Sequence, residues 1–221
     1  MPTQGKRLLS KRIRSSRAKH IMAGVAVLGL IAALAGIYHW ERRRLLQLAY
    51  QRRLVTLTFP EGFNRFEIAE RLEHYGVCSS KDFLMATADP QVLRQLSIHA
   101  PSAEGYLFPD TYQFLKGTHP SAIVQKFVNT WKTRLNPVFH EHQTSLHQLK
   151  QAFGWQMHEI IILASIVEKE ASLNEERPMI AGVFLNRIRS KNFNPKLLQA
   201  DPTLAYGCQV APEMAPSCEF F

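Results

Sequence analysis

Leu163-Ala164-Ser165-Ile166-Val167-Glu168-Lys169-Glu170-Ala171 ends the most apolar run outside the N-terminal region. From Ile160 to Val167 nearly every side chain is apolar, and a helix apolar around its whole circumference belongs in a core. Carboxylates at the end of such a run stand out, because burial disfavours the charged form and a shifted carboxyl can serve as a general acid. Positions two apart on a helix point in nearly opposite directions, so Glu168 and Glu170 do not share one cleft. Glu170 follows Val167, Ile166 and Leu163 by three, four and seven residues and continues the heavier apolar stripe, whereas Glu168 continues the lighter face of Ala164 and Ile161. Glu170 is therefore preferred for chemistry. The plainer alternative is a helix end whose acids are solvated or salt-bridged.

Working outward, the charge distribution bounds the partners. The chain has 221 residues and a formal net charge of +9, and the first 53 residues carry 12 Lys and Arg against the single acid Glu41. The remainder is near neutral, so the basic balance gives no support to nucleic-acid binding and speaks for a membrane. Seven basic residues precede an uncharged, apolar segment from Ile21 to Tyr38, with Tyr38 and Trp40 as interfacial anchors and Arg42, Arg43 and Arg44 behind it. This predicts a basic tail at 1–20, a transmembrane helix at 21–40 and a linker or helical extension at 41–53, with the N-terminus inside and the body exported. Ala33-Leu34-Ala35 offers the competing reading of a signal-peptide cleavage site, which the long basic region and the continuation through Trp40 fit less well. Gly29 and Gly36 read as ordinary membrane-helix glycines. Cys78, Cys208 and Cys218 are too few for a disulfide framework and lack zinc-site spacing. Three unpaired thiols are the expectation, and a Cys208–Cys218 bridge in an oxidising compartment is the alternative.

Val55, Leu57 and Phe59 alternate with Thr56 and Thr58 as in a half-buried strand. Pro60-Glu61-Gly62 makes a turn, Asn64 with Glu67 opens a helix through Tyr75, and a second helix starts at Ser79 or Ser80. A short helix is expected around Val92 to Leu96. Glu104-Gly105-Tyr106-Leu107-Phe108-Pro109-Asp110-Thr111-Tyr112-Gln113-Phe114 reads as two extended pieces meeting at a bend, its rings lining a sugar cleft or packing into the core. Pro120 to Leu135 is an amphipathic helix. His140-Glu141-His142 and His147 are read as a solvated polar loop, since no His-Glu-x-x-His is present. A further helix opens at Glu175 with an inward stripe of Ile180, Val183, Phe184 and Ile188, and polar groups cluster from Leu198 to Gly207.

Four blocks then carry a resemblance: the strand and turn ending in Pro60-Glu61-Gly62, Glu104 to Tyr112 (EGYLFPDTY), Leu163 to Ala171 (LASIVEKEA) with Glu176-Arg177, and Val183 to Arg187 (VFLNR) leading to Leu198 to Gly207 (LQADPTLAYG). In this order and approximate spacing the chain resembles the MltG (YceG-like) family of membrane-anchored endolytic murein transglycosylases. The resemblance implies an α+β protein. A LysM-like strand-helix-helix module at 54–102 would follow the anchor, and a mixed helix/strand catalytic domain would occupy 103–221. It also implies a protein of the bacterial inner membrane whose catalytic domain faces the periplasmic or extracellular side. That protein would cut the MurNAc-GlcNAc bond of nascent peptidoglycan glycan strands and leave a 1,6-anhydromuramyl end, with cell-wall synthesis proteins as further partners and no nucleic acid. The second Glu of the family's Glu-Lys-Glu motif falls on Glu170, as acid and then base, and Glu104, Asn186, Gln199, Asp201 and Thr203 match motif positions that line the cleft or orient it. No metal or cofactor is implied. Against the family pattern, the portion between anchor and module is short, the Asn186 to Gln199 spacing is longer, and the C-terminus is expected to be truncated. A membrane-anchored protein that only binds peptidoglycan or the cell-wall machinery is the alternative function.

Overall fold

The computed structural model describes residues 4–193, 198–211 and 218, with side chains from Leu28 onward. The chain divides into two compact units, Met1–Leu54 and Val55–Phe221. The first is a single helix, α1 (Gln4–Arg53), so residues 41–53 are a helical extension. Every described side chain of this helix is exposed, including Leu28, Ile31, Leu34, Ile37 and Trp40, and the Arg44 guanidinium lies 5.5 Å from the Trp40 ring centre. The expected membrane segment 21–40 lies within α1. The side chains of 21–27 and of the basic tail are outside the described residues, and among the described residues no helix is long and apolar enough to cross a membrane.

The second unit is mostly helical, with one small sheet, an α+β arrangement. Strand β1 (Leu54–Thr58) buries Leu57, and Phe59 just beyond it, while Thr56 and Thr58 face solvent. Its partner is β2 (Thr111–Leu115). The end of β1 meets the start of β2, through Phe59 N–H to the Asp110 carbonyl at 3.0 Å and Thr58 Oγ1 to Thr111 Oγ1 at 2.8 Å, so the strands run antiparallel. The sheet therefore joins residues on either side of position 102.

Between the strands, α2 (Arg65–His74) begins at a capping box. Asn64 Oδ1 accepts the amides of Phe66 and Glu67, and the Asn64 amide donates to Glu67 Oε2 at 2.7 Å. Its Ile68, Ala69 and Leu72 are fully buried. Helices α3 (Ser80–Thr87) and α4 (Pro90–Gln95) follow, capped by Ser79 and Asp89. The aromatic stretch divides by function: Tyr106, Tyr112 and Phe114 are buried core rings, whereas only its second half is a strand. Helix α5 (Pro120–Glu141) contributes Ile123, Val124, Phe127, Val128 and Trp131 to the same core. Phe127 is its centre, with Phe59 at 5.0 Å and Tyr112 at 4.3 Å between ring centroids, and full burial of such a ring contributes about 1.5–3 kcal/mol.

The polar loop expected around His140 is instead helix. Helix α5 runs through Pro137 to Glu141, and α6 (Gln143–Phe153) takes in His147 with no buried residue. Its turn residues are good enough helix formers, and Gly154 at φ +69° ends it in the left-handed conformation glycine favours.

Helix α7 (Met157–Glu170) buries two sides of the apolar run and leaves Ile162 and Ala164 exposed, so the all-round burial expected of it is not met. Ile161 joins the main core, while Leu163, Ile166 and Val167 join a second cluster with Phe184 and Ala200. A 3-10 turn (Asn174–Glu176) leads into α8 (Arg177–Arg189). Of the stripe expected to face inward there, only Phe184 is buried and Val183 is exposed, because the second cluster is small. The last helix, α9 (Asp201–Val210), covers a stretch read from sequence only as polar. The expectation of three unpaired cysteines is corrected. Cys208 and Cys218 form a disulfide with a Cα–Cα distance of 5.3 Å, and Cys78 is free; a separation of ten residues suffices to bring the two thiols within bonding reach.

Candidate functional site

A cavity of about 630 Å³ lies in the second unit. One wall is the turn from Pro60 to Asn64, which swings the chain from β1 into α2. A second is the Glu104 to Pro109 loop, a third is α7, and the fourth is α9. Three of the four sequence blocks thus meet here, together with the final part of the fourth. Helix α7 offers His158, Ile161, Ile162, Ser165, Glu168 and Lys169 to it, a set spaced as one helical face.

One glycine lets two of the walls approach, and a second turns the chain. Gly105, at φ +82°, packs so closely on α7 that a Cβ there would stand 2.8 Å from Ile161 Cγ2. Gly62, at φ +78°, lies beside the Lys169 side chain, whose Nζ would be 3.9 Å from an added Cβ.

Glu104 is the joint of the site. Its Oε2 accepts the backbone amide of Arg65 at 3.0 Å and the Tyr206 hydroxyl at 3.0 Å, so one carboxylate oxygen ties the loop to the start of α2 and to α9. Asn64 Nδ2 adds a second tie to α9 by donating to Gln209 Oε1 at 3.1 Å. Burial, and then the charge of Glu104, push the Tyr206 hydroxyl well above the usual tyrosine range, so it stays a donor at neutral pH. On the opposite wall His158 Nδ1 lies 3.2 Å from the Tyr106 hydroxyl, and the two rings stack at 6.0 Å.

The two acids at the end of α7 part as helix geometry requires. Glu168 lines the cavity and is held by Arg177, with guanidinium contacts of 3.1 Å to Oε1 and 2.9 Å to Oε2; Arg177 also donates to Asn174 Oδ1 at 2.7 Å. Glu170 is half-buried and outside the cavity lining, and its Oε1 is sealed from solvent with no hydrogen-bond partner among the described residues. Of the residues singled out from sequence, Glu104 and Thr203 line the cavity. Asn186, exposed on α8, Gln199, exposed at φ +55°, and Asp201, exposed at the start of α9, do not. Sequence reasoning missed His158, Lys169, Tyr206 and Gln209. His158 and Lys169 carried a signal, the helical spacing they share with Ile161 and Ser165; Tyr206 and Gln209 carried none until α9 was known to be a helix. Among the described residues no group of three or more His, Cys, Asp and Glu side chains is placed to hold a metal ion.

The fold of this chain is similar to that of a solved structure. A crystal structure of a YceG-like protein from Listeria monocytogenes matches 69% of this chain and 52% of its own, with a TM-score of 0.55 and 30% identity. Residues 29–215 match the model of the YceG-like family, and the chain belongs to that family. Two relatives carry the name endolytic murein transglycosylase. The one from Streptococcus pneumoniae serotype 2 (strain D39) is 26% identical over 185 residues, which is 73% of this chain and 32% of the relative. The one from Bacillus subtilis (strain 168) is 25% identical over 193 residues, 78% of this chain and 51% of the relative. The chain therefore spans 32% to 51% of the length of these relatives.

Proposed function

We propose that this protein is an endolytic peptidoglycan lytic transglycosylase, cutting the MurNAc-GlcNAc bond of nascent glycan strands. The observation that carries the reading is the cavity, built where separate family blocks converge and lined by acids and N–H and O–H donors suited to a sugar. In the reaction a carboxyl group gives its proton to the O4 oxygen leaving C1 of the muramyl ring. The resulting carboxylate takes the proton of the muramyl 6-hydroxyl as O6 bonds to C1, closing the 1,6-anhydro ring. The nucleophile belongs to the substrate, so a second catalytic carboxylate is not required, as in substrate-assisted glycosidases. Glu170 is the proposed acid and then base on the resemblance, although it stands outside the cavity lining: its Oε1 is shielded and has no hydrogen-bond partner among the described residues, whereas both oxygens of Glu168 are engaged by Arg177. Asn186, Gln199, Asp201 and Thr203 are the proposed supports, on the resemblance alone.

The strand and first two helices of the order β1-α2-α3-α4-β2 match the strand-helix-helix pattern on which a LysM-like module is proposed as a further glycan contact, with a third helix and a partner strand beyond residue 102 added to it. Helix α1, anchoring the chain in the inner membrane with its basic end in the cytoplasm, would hold the site against new peptidoglycan and near the cell-wall synthesis proteins. The positive-inside bias and the Cys208–Cys218 disulfide support this side of the membrane.

The test is mass spectrometry of uncrosslinked glycan strands incubated with the wild type, Glu170→Gln and Glu168→Gln. Anhydromuramyl ends should appear with the wild type, vanish with Glu170→Gln and persist with Glu168→Gln. Loss in Glu168→Gln alone would transfer the role to Glu168, the acid that lines the cavity. Strands that bind to the wild type and stay intact would favour a non-catalytic peptidoglycan-binding protein, a reading that the chain's partial coverage of its relatives keeps in view.

A further inference from the structure

The cavity contains a carboxylate whose two oxygens have been given different tasks. Oε2 of Glu104 is saturated by the Arg65 amide and the Tyr206 hydroxyl, each at 3.0 Å, while Oε1 forms no hydrogen bond among the described residues and is not among the buried atoms lacking a partner. Glu104 and Tyr206 both line the cavity, 102 residues apart in sequence. A carboxylate pinned through one oxygen from two directions has lost the rotation that would otherwise average its position, and its free oxygen becomes an acceptor fixed in place. Sugars offer hydroxyl and N-acetyl N–H donors in fixed directions, and an ionised acceptor makes the stronger class of hydrogen bond to them.

We infer that Glu104 is the acceptor that holds a hydroxyl or N-acetyl N–H of an N-acetylated glycan in the cavity, and that Tyr206 is the positioning residue that aims it. The inference rests on the glycan-cleaving reading of the cavity. Tyr206 does not touch the sugar in this scheme; it acts through Glu104. The phenolic ring keeps its place without the hydroxyl, through its contact with Phe66 at 6.2 Å between centroids, so removal of the oxygen leaves the wall standing and releases the carboxylate.

The test uses the full chain in detergent micelles and uncrosslinked glycan strands as the titrant, with binding and anhydromuramyl formation measured in parallel for the wild type, Tyr206→Phe, Glu104→Ala and the double variant. Tyr206→Phe should weaken binding about tenfold, the size of one lost charge-assisted hydrogen bond, and raise KM with kcat within twofold of the wild type. In the Glu104→Ala background the same change should alter binding less than twofold. A merely structural tyrosine would weaken binding equally in both backgrounds, and that result, or wild-type affinity in Tyr206→Phe, overturns the inference. Should Glu104→Ala not fold, Glu104→Gln replaces it: neutralising the acceptor should weaken binding at least threefold with the melting midpoint unchanged, and unchanged binding overturns the inference. Wild-type binding without anhydromuramyl ends overturns the transglycosylase reading alone, whereas absence of wild-type binding overturns both.

Discussion

Replacing Gly105 with alanine strikes the closest approach in the cavity wall. The residue sits at φ +82°, where a Cβ costs about 1–2 kcal/mol, and the new methyl would stand 2.8 Å from Cγ2 of the buried Ile161, so that side chain or the loop must shift. Overpacking of this kind costs about 1–3 kcal/mol. Together they give a loss of about 3 kcal/mol, or a fall of roughly 6–12 °C in melting midpoint for a domain of this size. Urea unfolding of Gly105→Ala should show that loss with an unchanged slope. In an Ile161→Ala background the steric part disappears, and the same substitution should cost only the backbone part of about 1–2 kcal/mol. A cost below about 0.5 kcal/mol, or a cost identical in both backgrounds, would refute the account of how the loop and α7 meet.

Two further outcomes follow from buried titratable groups. Burial raises the Tyr112 hydroxyl to about 12, above its unfolded value of 10.0. The stability linked to that proton is thus complete below the unfolded value and is lost as pH rises from about 10 to about 12. Tyr112→Phe should flatten this fall in alkaline denaturation while costing about 1 kcal/mol at neutral pH through the lost 2.7 Å bond to the Phe108 carbonyl; Tyr106 and Tyr206, raised in the same direction, keep some slope in place. Cys78 is pushed from 9.0 up to about 11, by burial first and then by Asp82 and Glu73, so at pH 8 it should react with iodoacetamide about tenfold more slowly than an ordinary thiol, the smaller thiolate fraction being partly offset by the greater nucleophilicity of a more basic thiolate.

What the sequence could convey depended on how local the cause was. The β1 alternation, the Asn64 capping box and the start of α5 are written in neighbouring residues, and the structure has them where periodicity and caps put them, whereas the burial expected all round α7 fails at Ile162 and Ala164. The partner of β1 was not legible, since strand pairing across more than fifty residues leaves no local mark. Helix α6 did leave a mark, Leu146, Leu149 and Phe153 at helical spacing and half-buried on one face, but the run of histidines around it favoured the reading of a loop. At the site, the opposition of Glu168 and Glu170 was deduced from helix geometry, but which of them meets the cavity depends on α9 and the Glu104 loop closing over one face of α7. The Cys208–Cys218 bond was open in the sequence, which offered it as an alternative but has no local signal that decides between paired and free thiols.

Helix α5 is continuous in outline but divided in its hydrogen bonding. Ile123 to Trp131, its buried contacts, all precede Pro137, which has no N–H to give the carbonyl of Thr133. Beyond that break the last turn of α5 keeps Phe139 against the core, 5.7 Å from Trp131 between ring centroids, and α6 has only half-buried apolar side chains. Opening this stretch sacrifices less apolar burial than opening the core, so its amides exchange with solvent through small local openings, while those around Phe127 wait for the core itself to come apart. The protein thus carries a low-cost, independently opening segment immediately ahead of α7, the helix that presents both acids.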